Sequence, residues 1–154
     1  SFKKYNSCFE TSFRSFFSRK NKGLNMIIRT GIDIIDIRRI EKTIKKYNFR
    51  FKNKCFHSSE ITKSELRFKS VESYAKRYAA KEACAKALGT GLARGVFWKD
   101  IEIQNDSYGK PIIKLHNKAL KFLNLFSKTD QCTIEVSLSD EKNYAIANVI
   151  IYEK

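Results

Sequence analysis

Three side chains in this 154-residue sequence combine residue type and surroundings in a way that suits chemistry. Asp33 is an acid inside the run GIDII (residues 31–35), otherwise built of glycine and isoleucine. An unpaired acid in such a strand is costly, so it is expected to face a cation, water or a metal. Glu82 and Lys86 stand one helical turn apart in RYAAKEACAKALGTG (residues 77–91). Together Asp33 and Glu82 offer two hard oxygen ligands, too few for a protein cage around calcium. They suit Mg2+, which keeps several waters and completes its octahedron with phosphate oxygens. Lys86 adds a positive charge directed at phosphate, and the set points to phosphoryl transfer. Two simpler readings stay open: a surface Glu–Lys pair worth about 0.3–0.5 kcal/mol, and a strand-end Asp33 that caps the next helix.

These residues need a strand and a helix to hold them. MIIRTGIDIIDI (residues 26–37) reads as a buried strand, and the run RRIEKTIKKY after it as a short amphipathic helix with Ile37, Ile40 and Ile44 on its inner face. SSEITKSELRFK is a second short helix with Ser58 and Ser59 as candidate N-caps. Val71 to Leu88 is the longest helical stretch, ended by Gly89 in the left-handed conformation. At about 100° per residue, Ala79, Ala80, Ala83, Cys84, Ala87 and Leu88 fill one arc, with Glu82 and Lys86 at its edge. Such small side chains let the helix lie tightly on a strand. KDIEIQN and PIIKLH flank DSYG as a hairpin. NKALKFLNLF is a helix, and TIEVSLS with YAIANVIIY forms two closing strands. The order implies an α+β fold, a largely antiparallel sheet packed on the long helix.

A formal charge of +15 calls for an acidic partner. No stretch approaches the roughly 20 apolar residues of a membrane span, so no membrane partner is expected. The four cysteines form no C-x-x-C pair and His57 and His116 are far apart in the sequence, which argues against zinc. The cysteines read as reduced packing residues. Residues 1–25 mix Ser, Phe, Lys, Arg and Asn with one acid, Glu10, the composition of an organelle transit segment. Residues 26–154 are expected to form the single domain.

GIDIIDIRRIEK and KRYAAKEACAKALGTG resemble, in this order and spacing, the two signatures of the holo-acyl-carrier-protein synthases, the bacterial short type of 4'-phosphopantetheinyl transferase. SSEI, DIEIQNDSYGKP and VSLSDEKNYAIANVII match in register, so the resemblance runs from Met26 to Lys154. It implies Mg2+-dependent transfer of 4'-phosphopantetheine from coenzyme A to a serine of apo-acyl carrier protein, with adenosine 3',5'-bisphosphate leaving. Asp33 and Glu82 then match the metal ligands, and Lys86 a lysine that contacts coenzyme A phosphates. Arg77 matches an arginine directed at the 3'-phosphate, and Gly109, Lys110 and Pro111 a turn beside the nucleotide. Arg38 and Arg39 match the helix that docks the acidic helix of acyl carrier protein. The resemblance further implies a homotrimer with active sites between subunits. After VSLS some members carry histidine where this chain has Asp140.

Two other readings compete. A metal-dependent nuclease also uses acids and a lysine, but usually with acid and lysine two residues apart on a strand. A basic nucleic-acid-binding module would account for charge, yet the aromatics gather in the first 25 residues and early loops without a stacking platform, so nucleic acid is not the expected partner. Abundant Asn and Lys fit an AT-rich genome, and the basic leader fits a plastid-type organelle (an apicoplast), with the cytoplasm as the alternative.

Overall fold

Ala145, Ala147, Val149 and Ile151 of the last strand are buried, while Tyr144, Ile146, Asn148 and Ile150 between them are exposed. This period of two is that of a strand with one face against a core. The computed structural model describes residues 28–127 and 132–153. The expected segment of residues 1–25 and Cys8 lie outside the described residues. In chain order the elements are β1 (Ile28–Asp36), α1 (Ile37–Cys55), α2 (Ser58–Glu65), α3 (Ser70–Ala87), a 3-10 turn (Trp98–Asp100), β2 (Ile101–Asn105), β3 (Pro111–Leu115), α4 (Asn117–Phe126), β4 (Cys132–Glu141) and β5 (Tyr144–Glu153).

β1, β5 and β4 form an antiparallel sheet with β5 in the middle, and β2 and β3 pair as a separate hairpin. α3 packs on β1 and β5. The alanine arc is the reason: Ala79, Ala80, Ala83, Cys84, Ala87 and Leu88 are all buried, facing Ala145 and Ala147. At Gly31 the approach is closest, since a Cβ there would stand 2.0 Å from the Ala83 carbonyl oxygen and 2.7 Å from the Ala87 nitrogen. Only glycine fits between that strand and that helix.

The expected α+β arrangement and the long helix are present, and several boundaries differ. The strand ends at Asp36, because the Asp36 carboxylate accepts from the Arg38 backbone N–H at 2.9 Å and caps α1. α1 continues to Cys55, well past the expected end, kinking at Asn48 (φ 28°, ψ −101°). The N-cap of α2 is His57, not a serine: Glu60 reaches back to the His57 N–H at 2.8 Å, and Ser59 turns to Glu102 at 2.7 Å. Gly89 does take the left-handed conformation (φ 76°) after α3. The sheet face away from α3 carries Ile28, Ile32, Ile34, Tyr144, Ile146 and Ile150, all exposed. No described helix is long and apolar enough to cross a membrane.

Candidate active site

Gly31 and Asp33 lie on the same face of β1, two residues apart, so the contact that seats α3 on Gly31 also sets Asp33 beside the helix. Lys86 of α3 donates to Asp33 Oδ1 at 2.8 Å and to the Ile32 carbonyl at 3.0 Å. It therefore pairs with the strand acid across the gap and not with Glu82 on its own helix, as a simple i, i+4 pair would. Nor does Asp33 cap the next helix, a task done by Asp36.

Glu82 is half-buried at the same edge. Burial raises its pKa, and the negative charge of Asp33 raises it further; Lys86 and the nearby Trp98 and Tyr78 side chains offset part of this. Tyr78 is itself pushed up to about 12 by burial and by Glu82. Two carboxylates thus press on one another with a single ammonium close by, bonded to Asp33, a half-buried acidic pair short of positive charge. Hard oxygen donors in that arrangement fit Mg2+; an ion there would relieve the desolvation and the repulsion together.

A second feature is a cleft of about 850 Å³ on whose wall Arg67, Lys69, Lys76, Arg77 and Lys110 outnumber the acids Glu72 and Asp140, with Gly109 and Pro111 beside them. Arg77 is buried, donates to Ser73 Oγ at 2.6 Å and more weakly to Asn105 Oδ1 at 3.4 Å, and its Nε has no partner among the described residues. Burial lowers its pKa. The hairpin tip is shaped by Asp106, which accepts from the N–H groups of Tyr108 (2.9 Å) and Lys110 (2.8 Å), with Gly109 at φ 86° closing the turn. The Lys110 side chain pairs with Glu135 at 2.7 Å, and Asp140 with Lys76 at 2.6 Å. Asp33, Glu82 and Lys86 do not line this cleft. The fold brings the first three residues together and Arg77 together with residues 109–111, but sets the two groups in different places on one chain.

Arg38 folds back on Asp36 at 2.6 Å, whereas Arg39 is exposed with no ion pair among the described residues. The Arg39 charge reaches Tyr78, the neighbour of Glu82.

A model of the 4'-phosphopantetheinyl transferase superfamily matches residues 29–149. The chain belongs to this superfamily. A curated relative named holo-[acyl-carrier-protein] synthase from Agrobacterium fabrum is 48% identical over 127 residues, covering 82% of this chain and 95% of the relative. The holo-[acyl-carrier-protein] synthase of Helicobacter pylori, solved in complex with coenzyme A, has a TM-score of 0.68 and 31% identity, over 79% of this chain and 98% of that one. The acyl carrier protein synthase of Plasmodium yoelii with ADP bound gives 0.70 and 35%, over 85% and 99%. The α+β architecture is thus that of the transferase superfamily, and the nuclease and nucleic-acid-binding readings lose their basis.

Two features escaped the sequence reading. Lys81 of α3 is completely buried, donating to Glu60 Oε2 at 2.8 Å, to the Trp98 carbonyl at 3.0 Å and to the Ile101 carbonyl. Burial lowers its pKa while Glu60 holds it up. The signal was weak: Lys81 lies at the other edge of the alanine arc, next to Leu88, where a lysine ordinarily reaches solvent. The second is that His57 and His116, distant in sequence, have ring centroids 5.0 Å apart.

Proposed function

We propose that this transferase is a Mg2+-dependent holo-acyl-carrier-protein synthase that moves 4'-phosphopantetheine from coenzyme A to a serine of apo-acyl carrier protein. The observation that carries the reading is the placement of Asp33, Glu82 and Lys86 at one edge of the β1–α3 contact. The named activity of the relatives and the coenzyme A in the Helicobacter pylori structure support it.

In the reaction the serine Oγ attacks the phosphorus that carries the pantetheine arm and gives up its proton to water, the bond to the bridging oxygen breaks, and adenosine 3',5'-bisphosphate leaves with that electron pair. Asp33 and Glu82 would hold the magnesium ion. When bound, it supplies positive charge to the pyrophosphate and to the departing phosphate. Lys86, half exposed at the same rim, presents a second cation to those oxygens. Arg77 and Lys110 suit the phosphate of the adenosine end, with Gly109 and Pro111 shaping the wall beside it. Because these residues stand apart from Asp33 within one chain, the complete site is assembled between protomers of a homotrimer. The exposed isoleucines of β1 and β5 form an apolar face that suits such an interface. Arg39, with Arg38 behind it, suits the acidic recognition helix of the carrier. Residues 1–25 are proposed to direct the chain to a plastid-type organelle; a reporter fused to them that stays cytosolic would reject this.

The deciding experiment incubates the protein with coenzyme A, Mg2+ and an apo-acyl carrier protein and reads the carrier's intact mass. One added phosphopantetheine is expected, abolished by chelator and reduced at least ~1000-fold in rate by Asp33→Ala or Glu82→Ala, in line with loss of metal charge stabilisation. An unmodified carrier with folded wild-type protein, or full activity in both variants, would overturn the assignment.

A further inference from the structure

We propose that His57, Glu102 and His116 form a binding site for a zinc-class divalent ion, separate from the Asp33–Glu82 pair. One ligating atom from each of the three lies within 4.8 Å of the others. His57 precedes α2, Glu102 sits on β2 and His116 precedes α4, so the site would tie three elements together. None of the three lines the cationic cleft.

Hydrogen bonds hold the three side chains close to one another. His57 Nε2 stands 2.6 Å from the Lys99 carbonyl oxygen; a carbonyl only accepts, so Nε2 carries the proton and Nδ1 keeps its lone pair. A histidine that gives its other N–H to a main-chain carbonyl is the usual arrangement around a bound metal. Glu102 is held in the same manner: its Oε1 accepts from Ser59 Oγ at 2.7 Å and from Gln104 Nε2 at 2.9 Å, while its Oε2 accepts from His116 Nε2 at 2.9 Å, an N–H proton that a bound ion would displace. Two ligands each about 2.0–2.1 Å from one tetrahedral ion stand about 3.3 Å apart. The His116–Glu102 spacing is close to that, and the widest gap leaves about 1.5 Å for the partly exposed His57 ring to close on binding.

Charge argues the same way. Glu102 is 6% exposed. Its carboxylate is surrounded by donors, accepting from Gln104, Ser59 and His116. Among the described residues its only ion-pair partner is His116, with no lysine or arginine beside it. Two imidazoles and one carboxylate select a zinc-class ion over magnesium, whose ligands are oxygens, and leave a fourth position for water.

The chain has only two histidines, so the test is unusually direct. The metal-stripped full chain is titrated with Co2+ in excess Mg2+, which occupies the hard-oxygen pair. Expected is one Co2+ per chain with visible absorption of a four-coordinate ion, displaced by Zn2+, and a zinc-induced shift of the imidazole 15N resonances of both histidines in the wild-type protein. His57→Ala, His116→Ala and Glu102→Gln each weaken binding at least ~100-fold, whereas Asp33→Ala leaves it in place. Undisturbed imidazole resonances at saturating zinc, or equal binding by folded His57→Ala and wild type, would overturn the proposal. So would loss of the signal in Asp33→Ala, which would assign the ion to the acidic pair. The wild-type resonances decide the matter even where a variant fails to fold, and the outcome is independent of whether the carrier protein is modified.

Discussion

Gly31→Ala adds one methyl group at the point on which the candidate site depends. The new Cβ would sit 2.0 Å from the Ala83 carbonyl oxygen and 2.7 Å from the Ala87 nitrogen, both main-chain atoms of α3. A side chain could rotate away; a helix backbone cannot. Restoring even a tight contact of 3.0 Å requires strand and helix to separate by at least 1.0 Å, the difference between 3.0 and 2.0. Overpacking of this kind costs about 1–3 kcal/mol, which for a domain of this size lowers Tm by roughly 2–12 °C at 2–4 °C per kcal/mol. The same shift moves Asp33 relative to Glu82 and Lys86, and misplacement of about 1 Å costs on the order of 100-fold in rate. Differential scanning calorimetry and the carrier-modification assay measure the two effects on one sample. Both should drop together, and Ala83→Gly should rescue neither, because the clash is with the main-chain carbonyl. A Gly31→Ala protein with wild-type Tm and wild-type kcat/KM would refute the claim that this backbone contact positions the acids.

Lys81→Met should destabilise by about 3–5 kcal/mol, because it leaves Glu60 buried without its cation; urea unfolding reads this, and Lys81→Met with Glu60→Gln together should recover much of the loss. Cys55 and Cys84 are raised by burial to about 11 and about 12, so both are neutral thiols at pH 8. Raising an acid's pKa removes the thiolate, so iodoacetamide should leave both unlabelled in the native protein and label both after denaturation, as peptide mass spectrometry would show. Arg39→Glu should raise KM for the carrier at least ~10-fold at low salt with little change in kcat, and the gap should narrow as salt is added; a KM equal to wild type at low salt would remove Arg39 from the docking surface.

Much of the fold was written in local pattern. The alternation along YAIANVIIY, the alanine arc of α3, the DSYG turn between β2 and β3 and the ten residues of α4 follow from periodicity and turn chemistry, which act between near neighbours. Boundaries were less legible where a side chain chose among local partners: Asp36 took the cap that ended β1, and Ser59 turned to Glu102 instead of capping α2. Asp33 was conspicuous because an acid among isoleucines has few cheap explanations. Lys81 was not, because a lysine on a helix ordinarily reaches water, and only its buried carboxylate and carbonyl partners show otherwise.

By itself, the order of residues determined which side chains this protein has for holding a metal and phosphate, and that an alanine-faced helix would lie on a strand that has glycine at the crossing. Those are properties of spacing along one element, where the geometry repeats every 3.6 or 2 residues. Tertiary structure alone decided that Lys86 answers Asp33 and not Glu82, that Arg77 and the hairpin tip stand apart from the acids, and that two histidines from different loops meet at Glu102. Contacts between residues far apart in the chain depend on how whole elements dock, and no local period encodes the distance between two surfaces once they have closed on each other.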